Sequence, residues 1–294
     1  MLDFRIETFL AVCEYMNFTR ASEALNITQP AVSQHIRFLE KFYGVKLFSY
    51  EGKRPCLTGA GELLRSTALT MVHDEFSLKS QMQHISKDRE EIRFGATMTI
   101  GEAIMGKMLE HFLRKYPEVK LHMEVANTQE LLARLDNGGI DFALVEGFFK
   151  KSEYDFLTYS TEPYIAVCSS SYPFHKNPEC LEDLFGERLL IRESGSGTRE
   201  VLERYLGLRN YSLEDFTKIA EIGSLQTILE LAGAGLGVTF LYEAAARAGL
   251  KDGTLKKLCL KDCTITHEFT FIWRKGSIYA ERYRALFCQL SGAT

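Results

Sequence analysis

The chain has 294 residues, 46% hydrophobic and 25% charged, with a formal net charge of −4. At about 100–200 residues per domain this allows two or three folding units with real cores. Six prolines and no Ser/Gly/Pro-rich tract argue against a long disordered linker. The start, Met-Leu-Asp-Phe-Arg-Ile-Glu, lacks a basic region followed by an apolar run, so no export signal is expected. The longest uncharged apolar stretch, Leu231 to Tyr242, is too short to span a bilayer. A cytoplasmic protein with no membrane partner is the expectation. Cys13, Cys56, Cys168, Cys180, Cys259, Cys263 and Cys288 are odd in number and contain no C-x-x-C. Reduced, mostly buried thiols fit that compartment; a redox switch is the alternative.

The distribution of charge says more than its sum. Residues 1–58 carry +1 and the remaining 236 carry −5, whereas the segment 28–54 alone carries +3. Phe4, Phe9, Leu10, Val12 and Cys13 have helical spacing over residues 3–15. Asn17-Phe18-Thr19 interrupts them, and Thr19 is a suitable N-cap for a short helix ending near Leu25. After the turn at Asn26-Ile27, Thr28 caps a third helix with Pro30 in its first turn, where a missing N–H costs nothing. Val32, Ile36 and Leu39 lie on one face of that helix, and Gln29, Ser33 and Arg37 on another. Two short helices around a tight turn, the second polar-faced, form a helix-turn-helix. Gln can bond adenine, Arg guanine, and Ser a base or phosphate. Glu51-Gly52-Lys53-Arg54-Pro55 then forms a basic turn between two extended pieces, a wing placed for phosphates or the minor groove. The competing reading of the spacing alone is three packed helices with a solvated polar face.

The run from Phe18 to Glu40, FTRASEALNITQPAVSQHIRFLE, resembles the DNA-binding region of LysR-type transcriptional regulators. Gly44-Val-Lys-Leu-Phe48 and Leu57-Thr-Gly-Ala-Gly61 match the segments that follow it in that family. The resemblance implies a dimer or tetramer on double-stranded DNA, a small-molecule co-inducer and no catalysis. Its base-facing positions fall on Gln29, Pro30, Ser33, Gln34 and Arg37, flanked here by the capping Thr28 and by wing residues Lys53 and Arg54. Pro55-Cys56 departs from the family's usual β-forming wing, which leaves the wing contacts less defined than those of the helix.

From Gly61 to Ile85 there is no proline and no further glycine, and Leu64, Ala68, Met71, Leu78, Met82 and Ile85 form a heptad stripe broken at Glu75. A helix over 60–87 would be roughly 40 Å long at 1.5 Å per residue. Two readings stand: a dimer seam, which would present two recognition helices to a pseudo-palindromic site, and a helix lying on its own domain. The seam is preferred.

Residues 91–294 alternate strand-like and helix-like segments, the pattern of α/β structure with largely parallel strands. Strands are expected at Glu91–Ala96, Val119–Ala126, Asp141–Glu146, Tyr164–Ser169, Arg188–Arg192, Lys218–Ile222, Gly237–Leu241 and Phe269–Trp273. Helices are expected at Ile100–Tyr116, Thr128–Leu135, Leu181–Phe185, Thr198–Leu206, Leu225–Ala234 and Ile278–Leu290. The family resemblance adds two lobes like those of periplasmic binding proteins, about 91–163 with 268–294, and 164–267. The expected fold class is thus α+α/β: a winged helix-turn-helix over 1–58, a linker helix over 59–88 and a two-lobed α/β effector domain over 91–294.

Ligands of such folds sit where strands end and helices begin, between lobes. Thr97-Met98-Thr99, Ser194-Gly195-Ser196-Gly197-Thr198-Arg199 and Gly223-Ser224-Leu225-Gln226 all occupy such junctions. Hydroxyls and free N–H groups there suit an anion, so a small anionic effector is expected and no other cofactor or metal. Helix capping is an even alternative for each segment. Glu146, Phe148 and Phe149 either shape the cleft or lie in a solvated loop. The spacing Gly101…Gly106-Lys107 imitates a P-loop, but Met108 stands where Mg²⁺ needs a hydroxyl. No G-x-S-x-G and no His/Cys ligand spacing occurs. A regulator that contacts RNA polymerase is favoured over an enzyme or solute receptor, and over a sequence-blind architectural binder, which would need a broader basic surface than +3.

Overall fold

The computed structural model describes residues 3–52, 54–84 and 91–292. Wing residue Lys53 and seam residue Ile85 lie outside them. α1 (Phe4–Tyr15), α2 (Phe18–Ala24) and α3 (Gln29–Tyr43) precede a hairpin of β1 (Phe48–Glu51) and β2 (Arg54–Leu57). Phe9, Val12, Ala21, Val32, Ile36, Leu39, Leu47 and Phe48 bury together and hold the three helices and the hairpin as one unit. α2 is capped by Asn17, whose side chain accepts from the N–H groups of Thr19 and Arg20, rather than by Thr19. Asn at this position needs no β-branched rotamer and reaches two orphan donors at once. Asn26 takes φ 54° in the turn, a conformation that Asn tolerates better than most residues. The hydroxyl of Thr28 accepts from Ala31 N–H at 3.4 Å and caps α3, with Pro in its first turn.

α4 (Gly59–His84) begins inside this unit. Leu64 and Ala68 pack on the helix-turn-helix core. They therefore leave the expected seam, because the helix's opening turns complete the first domain. Met71, Leu78 and Met82 remain exposed. The opposite side of α4 is docked on the effector domain of its own chain. Thr70 Oγ1 donates to Lys275 O at 3.0 Å, and Arg65 Nη2 meets Glu153 Oε1 at 2.6 Å. The reading of a helix lying on its own domain thus holds for this side of α4.

The effector domain is a single nine-stranded sheet, in the order β4 (Lys120–Val125), β3 (Glu91–Ala96), β5 (Phe142–Val145), β11 (Ile265–Arg274), β6 (Tyr154–Ser169), β9 (Val238–Tyr242), β7 (Arg188–Ile191), β8 (Lys218–Glu221), with β10 (Leu255–Lys257) added to β6. β3 pairs in parallel with β4 and β5, and β7 with β8 and β9. The two parallel triplets are joined by the antiparallel pair β6–β11, which runs from one lobe into the other. β6 begins ten residues before its expected start at Tyr164, because Tyr154–Pro163 alternates too little to announce a strand. α5 (Met98–Ala103) and α6 (Met105–Lys115) replace the single helix expected over 100–116; the break at Ile104 turns Met105, Met108 and Phe112 into the core. α7 (Thr128–Asp136), α8 (Gly197–Gly207), α9 (Leu225–Gly233) and α11 (Ala280–Ser291) cover the sheet, as does α10 (Glu243–Asp252), whose Ala-rich pattern carries too little apolar contrast to be anticipated. Over 181–185 there is only a short 3₁₀ turn.

Candidate DNA-binding face and effector cleft

On α3, Val32, Ile36 and Leu39 are buried, which turns the other side of the helix outward. Thr28, Gln29, Pro30, Gln34 and Arg37 are exposed and Ser33 is half-buried. Gln29 Nε2 donates to Ser33 Oγ at 2.9 Å, a bond within one face that competing base edges can replace. Arg37 makes no ion pair with any described residue, and Arg54 projects from the hairpin. The hairpin pairs Tyr50 with Pro55. Proline is tolerated at this two-stranded edge because no third strand requires its missing N–H. Sequence reasoning passed over the exposed Phe38, Phe42 and Tyr43 at the end of α3.

The second site lies between the lobes, at the carboxyl ends of β3, β5 and β7. Thr97, Thr99 and Glu146 come from the first lobe, and Arg192, Ser196 and Thr198 from the second; all six are buried. Glu146 Oε1 accepts from Thr198 Oγ1 at 2.5 Å and from Thr99 Oγ1 at 3.1 Å, and the two hydroxyls lie 3.4 Å apart. Tyr164 Oη donates to the carbonyl of Thr198 at 2.8 Å, and Tyr242 Oη to that of Glu146 at 3.1 Å. Burial pushes the Glu146 carboxyl above its ordinary range, against the lowering influence of Thr198, Thr99 and Arg192. Thr97 is near enough to favour its charge, yet its hydroxyl has no partner of hydrogen-bond geometry. Arg192 clamps Glu193 through Nε and Nη2 at 2.7 and 2.8 Å.

The lobes touch through glycine. A Cβ on Gly197 would stand 2.6 Å from Gly147 Cα and 2.8 Å from Thr128 Oγ1. Met98 packs beside the second lobe's cluster of Ile165, Val167, Leu190 and Leu225, so it is a contact between lobes rather than a polar ligand. Ser194 and Ser224 are exposed. Ser224 Oγ accepts from Thr227 N–H at 3.2 Å and caps α9, which is the structural alternative for that segment. Arg192, Thr128 and the glycine pair were missed by sequence reasoning. The first ends an expected strand, but the pairing of Gly147 with Gly197 is set by the closing of two lobes. Phe148 faces His267 with ring centroids 4.7 Å apart.

A third polar assembly fastens α4 to the first lobe. Fully buried Arg274 reaches Asp136 Oδ1 at 2.8 Å and Ser66 O at 3.0 Å. Asp74 accepts from Ser277 Oγ at 2.6 Å and Ile278 N–H at 3.0 Å. His73 bridges Asp74 Oδ1 and Asp141 O, and Ser77 Oγ donates to Asp141 Oδ1 at 2.9 Å. Burial alone would raise the Asp74 carboxyl; the bonds from His73, Ser277 and Ile278 outweigh it and hold it below its ordinary value. Among the described residues no helix is long and apolar enough to cross a membrane, and no cluster of His, Cys, Asp and Glu could hold a metal ion.

Together these features describe a DNA-reading module coupled by a helix to a two-lobed ligand-binding domain. Residues 5–62 match the family described as bacterial regulatory helix-turn-helix protein, lysR family, and residues 86–292 match the LysR substrate binding domain. The HTH-type transcriptional regulator CysL of Bacillus subtilis is 31% identical over 272 residues, covering 91% of this chain and 89% of CysL. A mutant OxyR of Corynebacterium glutamicum has a similar structure, with TM-score 0.59 and 25% identity over 98% of this chain and 92% of that one. The regulatory domain of Synechocystis CcmR, solved in complex with 2-PG, shares the fold with TM-score 0.62 at 18% identity over 70% of this chain and 97% of that one. The chain belongs to the LysR family: it is a DNA-binding transcriptional regulator with an effector-binding domain, and not an enzyme.

Proposed function

We propose that the chain reads a pseudo-palindromic double-stranded site as a homo-oligomer. Gln29, Pro30, Ser33, Gln34 and Arg37 would face base edges, while Thr28 and the wing residues Lys53 and Arg54 approach the backbone. The observation that carries this is the exposed face of α3, whose long polar side chains do no work in the core. Exposed Met71, Leu78 and Met82 on α4 offer the seam for a second copy. We further propose that a small effector with an acid group enters between the lobes at Thr97, Thr99, Ser196 and Thr198, with Arg192 as its nearest cation. The closing of the lobes moves the first lobe, and α4 moves with it through Arg274, Asp74 and Asp141. A changed α4 geometry alters half-site spacing or bending, and thereby contact with RNA polymerase.

Gel-shift titration on DNA upstream of the protein's own gene, with random DNA as competitor, tests the first part. Selective binding that Arg37→Ala weakens about 5- to 150-fold, roughly 1–3 kcal/mol, is the expected result. Equal binding of wild type and variant to both DNAs would refute base reading by α3.

A further inference from the structure

Four buried polar atoms around the interlobe cleft have no hydrogen-bond partner among the described residues: Thr97 Oγ1, Thr128 Oγ1, Glu146 Oε2 and Arg192 Nη1. Their residues are each at least nine-tenths buried, at 2%, 2%, 1% and 3% exposure. Thr97, Glu146 and Arg192 directly follow β3, β5 and β7, and Thr128 opens α7. Buried polar atoms are paired in the great majority of cases, so such a group at one site calls for a ligand. The orphans are of opposite polarity. Glu146 Oε2 offers lone pairs and needs a donor; Arg192 Nη1 offers a hydrogen and needs an acceptor; each hydroxyl can do either.

The charges around the site point the same way. Arg192 is already committed to Glu193, and Arg199 to Glu203 and Glu221. Arg192 also stands near enough to Glu102 and Glu146 to favour their charged forms. Carboxylates thus outnumber guanidiniums around the cleft. An anion alone would satisfy Arg192 and leave Glu146 facing added negative charge in a buried setting, which is costly. Gly147 and Gly197 bring the two lobes into backbone contact beside these groups.

We propose that the effector is a small zwitterion, of the size and charge pattern of an α-amino acid. Its ammonium group donates to Glu146 Oε2, and its acid group accepts from Arg192 Nη1 and the Thr97 hydroxyl. Thr99 and Thr198, which saturate Glu146 Oε1, leave Oε2 as the oxygen that receives the ammonium. The inference rests on the proposed effector cleft and gives that site its ligand class: Glu146 selects for the amine, and Arg192 for the acid.

The test is a thermal-shift and calorimetric panel on the full chain. One set holds the common α-amino acids and taurine; the matched set holds their des-amino acids, with inorganic sulfate and phosphate. At least one zwitterion is expected to raise the melting temperature and to bind at least 100-fold more tightly than its des-amino counterpart. Glu146→Gln is expected to abolish that preference, with the zwitterion reduced to the affinity of its des-amino partner. The wild-type panel decides the matter even where the variant folds poorly. Stabilisation by the anions alone, or equally by matched pairs, would overturn the zwitterion and leave the effector cleft standing. A panel in which nothing binds would overturn it as well, while DNA reading by α3 is judged separately by the gel shift.

Discussion

The polar residues of α3 and those of the interlobe cleft stand in opposite situations. Gln29, Gln34 and Arg37 lie in water, and their fold-side counterparts Val32, Ile36 and Leu39 do the packing. Thr99, Glu146 and Thr198 are buried and bonded to one another across two lobes. A polar side chain in water can be changed without cost to the fold, whereas one in the interior carries the fold and the site together. Recognition of a large external partner and recognition of a small enclosed one therefore leave different marks on stability.

The strongest way to break the comparison is to uncouple the two regions. Arg274→Met should remove the buried cation beside Asp136 and one of the donors to the Ser66 carbonyl, which keeps the Thr70 hydroxyl. The side chain of Asp136 is partly exposed, so the expected loss is about 2–4 kcal/mol, less than the full cost of breaking a wholly buried pair. Urea denaturation would measure it. An unchanged midpoint would mean that α4 is not held to the first lobe in solution.

Arg37→Ala sharpens the contrast from the other side. Its stability should stay within about 0.5 kcal/mol of wild type while DNA affinity falls by about 1–3 kcal/mol. A loss of stability as large as the loss of affinity would place Arg37 in the fold rather than on DNA. Gly197→Ala should act within the cleft alone. Its methyl would meet backbone atoms of Gly147, which cannot swing away as a side chain can. Overpacking of this kind costs about 1–3 kcal/mol, and opening the lobes relieves it. Faster amide exchange over 194–198 with unaltered exchange in α3 is the expected reading; unchanged exchange in both would show that the lobes do not close on this contact.

How legible each region was follows from the range of the interactions that form it. α3 and its cap were readable because spacing within one helix decides which residues are buried and which remain free. β3 was readable for the same local reason, and its span Glu91–Ala96 agrees with the sequence expectation. Thr97, Thr99, Ser196 and Thr198 were findable as hydroxyls at strand-to-helix junctions. Glu146 was readable as a cleft candidate at a strand end, but its bonds to Thr99 and Thr198 were not, since residues 99, 146 and 198 meet only through the fold. Nor could spacing divide the faces of α4, where Ala68 serves the first domain, His73 and Ser77 the second, and Met71 neither. An apolar stripe shows that a face will be covered, but not by which neighbour.

The subtlest effect is carried by pH. Burial raises the Glu146 carboxyl from its reference value of 4.5. A carboxyl raised in the folded state holds its proton longer there than in the unfolded chain, so the folded form gains from it at low pH. That gain is complete below the unfolded value and is lost as pH rises through the raised folded value; above it, the buried charge is a constant burden. Glu146→Gln carries no charge in either state. The ligand-free variant should therefore melt higher than wild type at neutral pH, with the difference narrowing as pH falls toward 4.5. Melting curves across that range would measure it. A difference that grows on acidification would mean that Thr198, Thr99 and Arg192 hold Glu146 ionised more firmly than burial opposes it. The ammonium of a zwitterion would then meet a carboxylate already charged, and its binding would release or take up no proton.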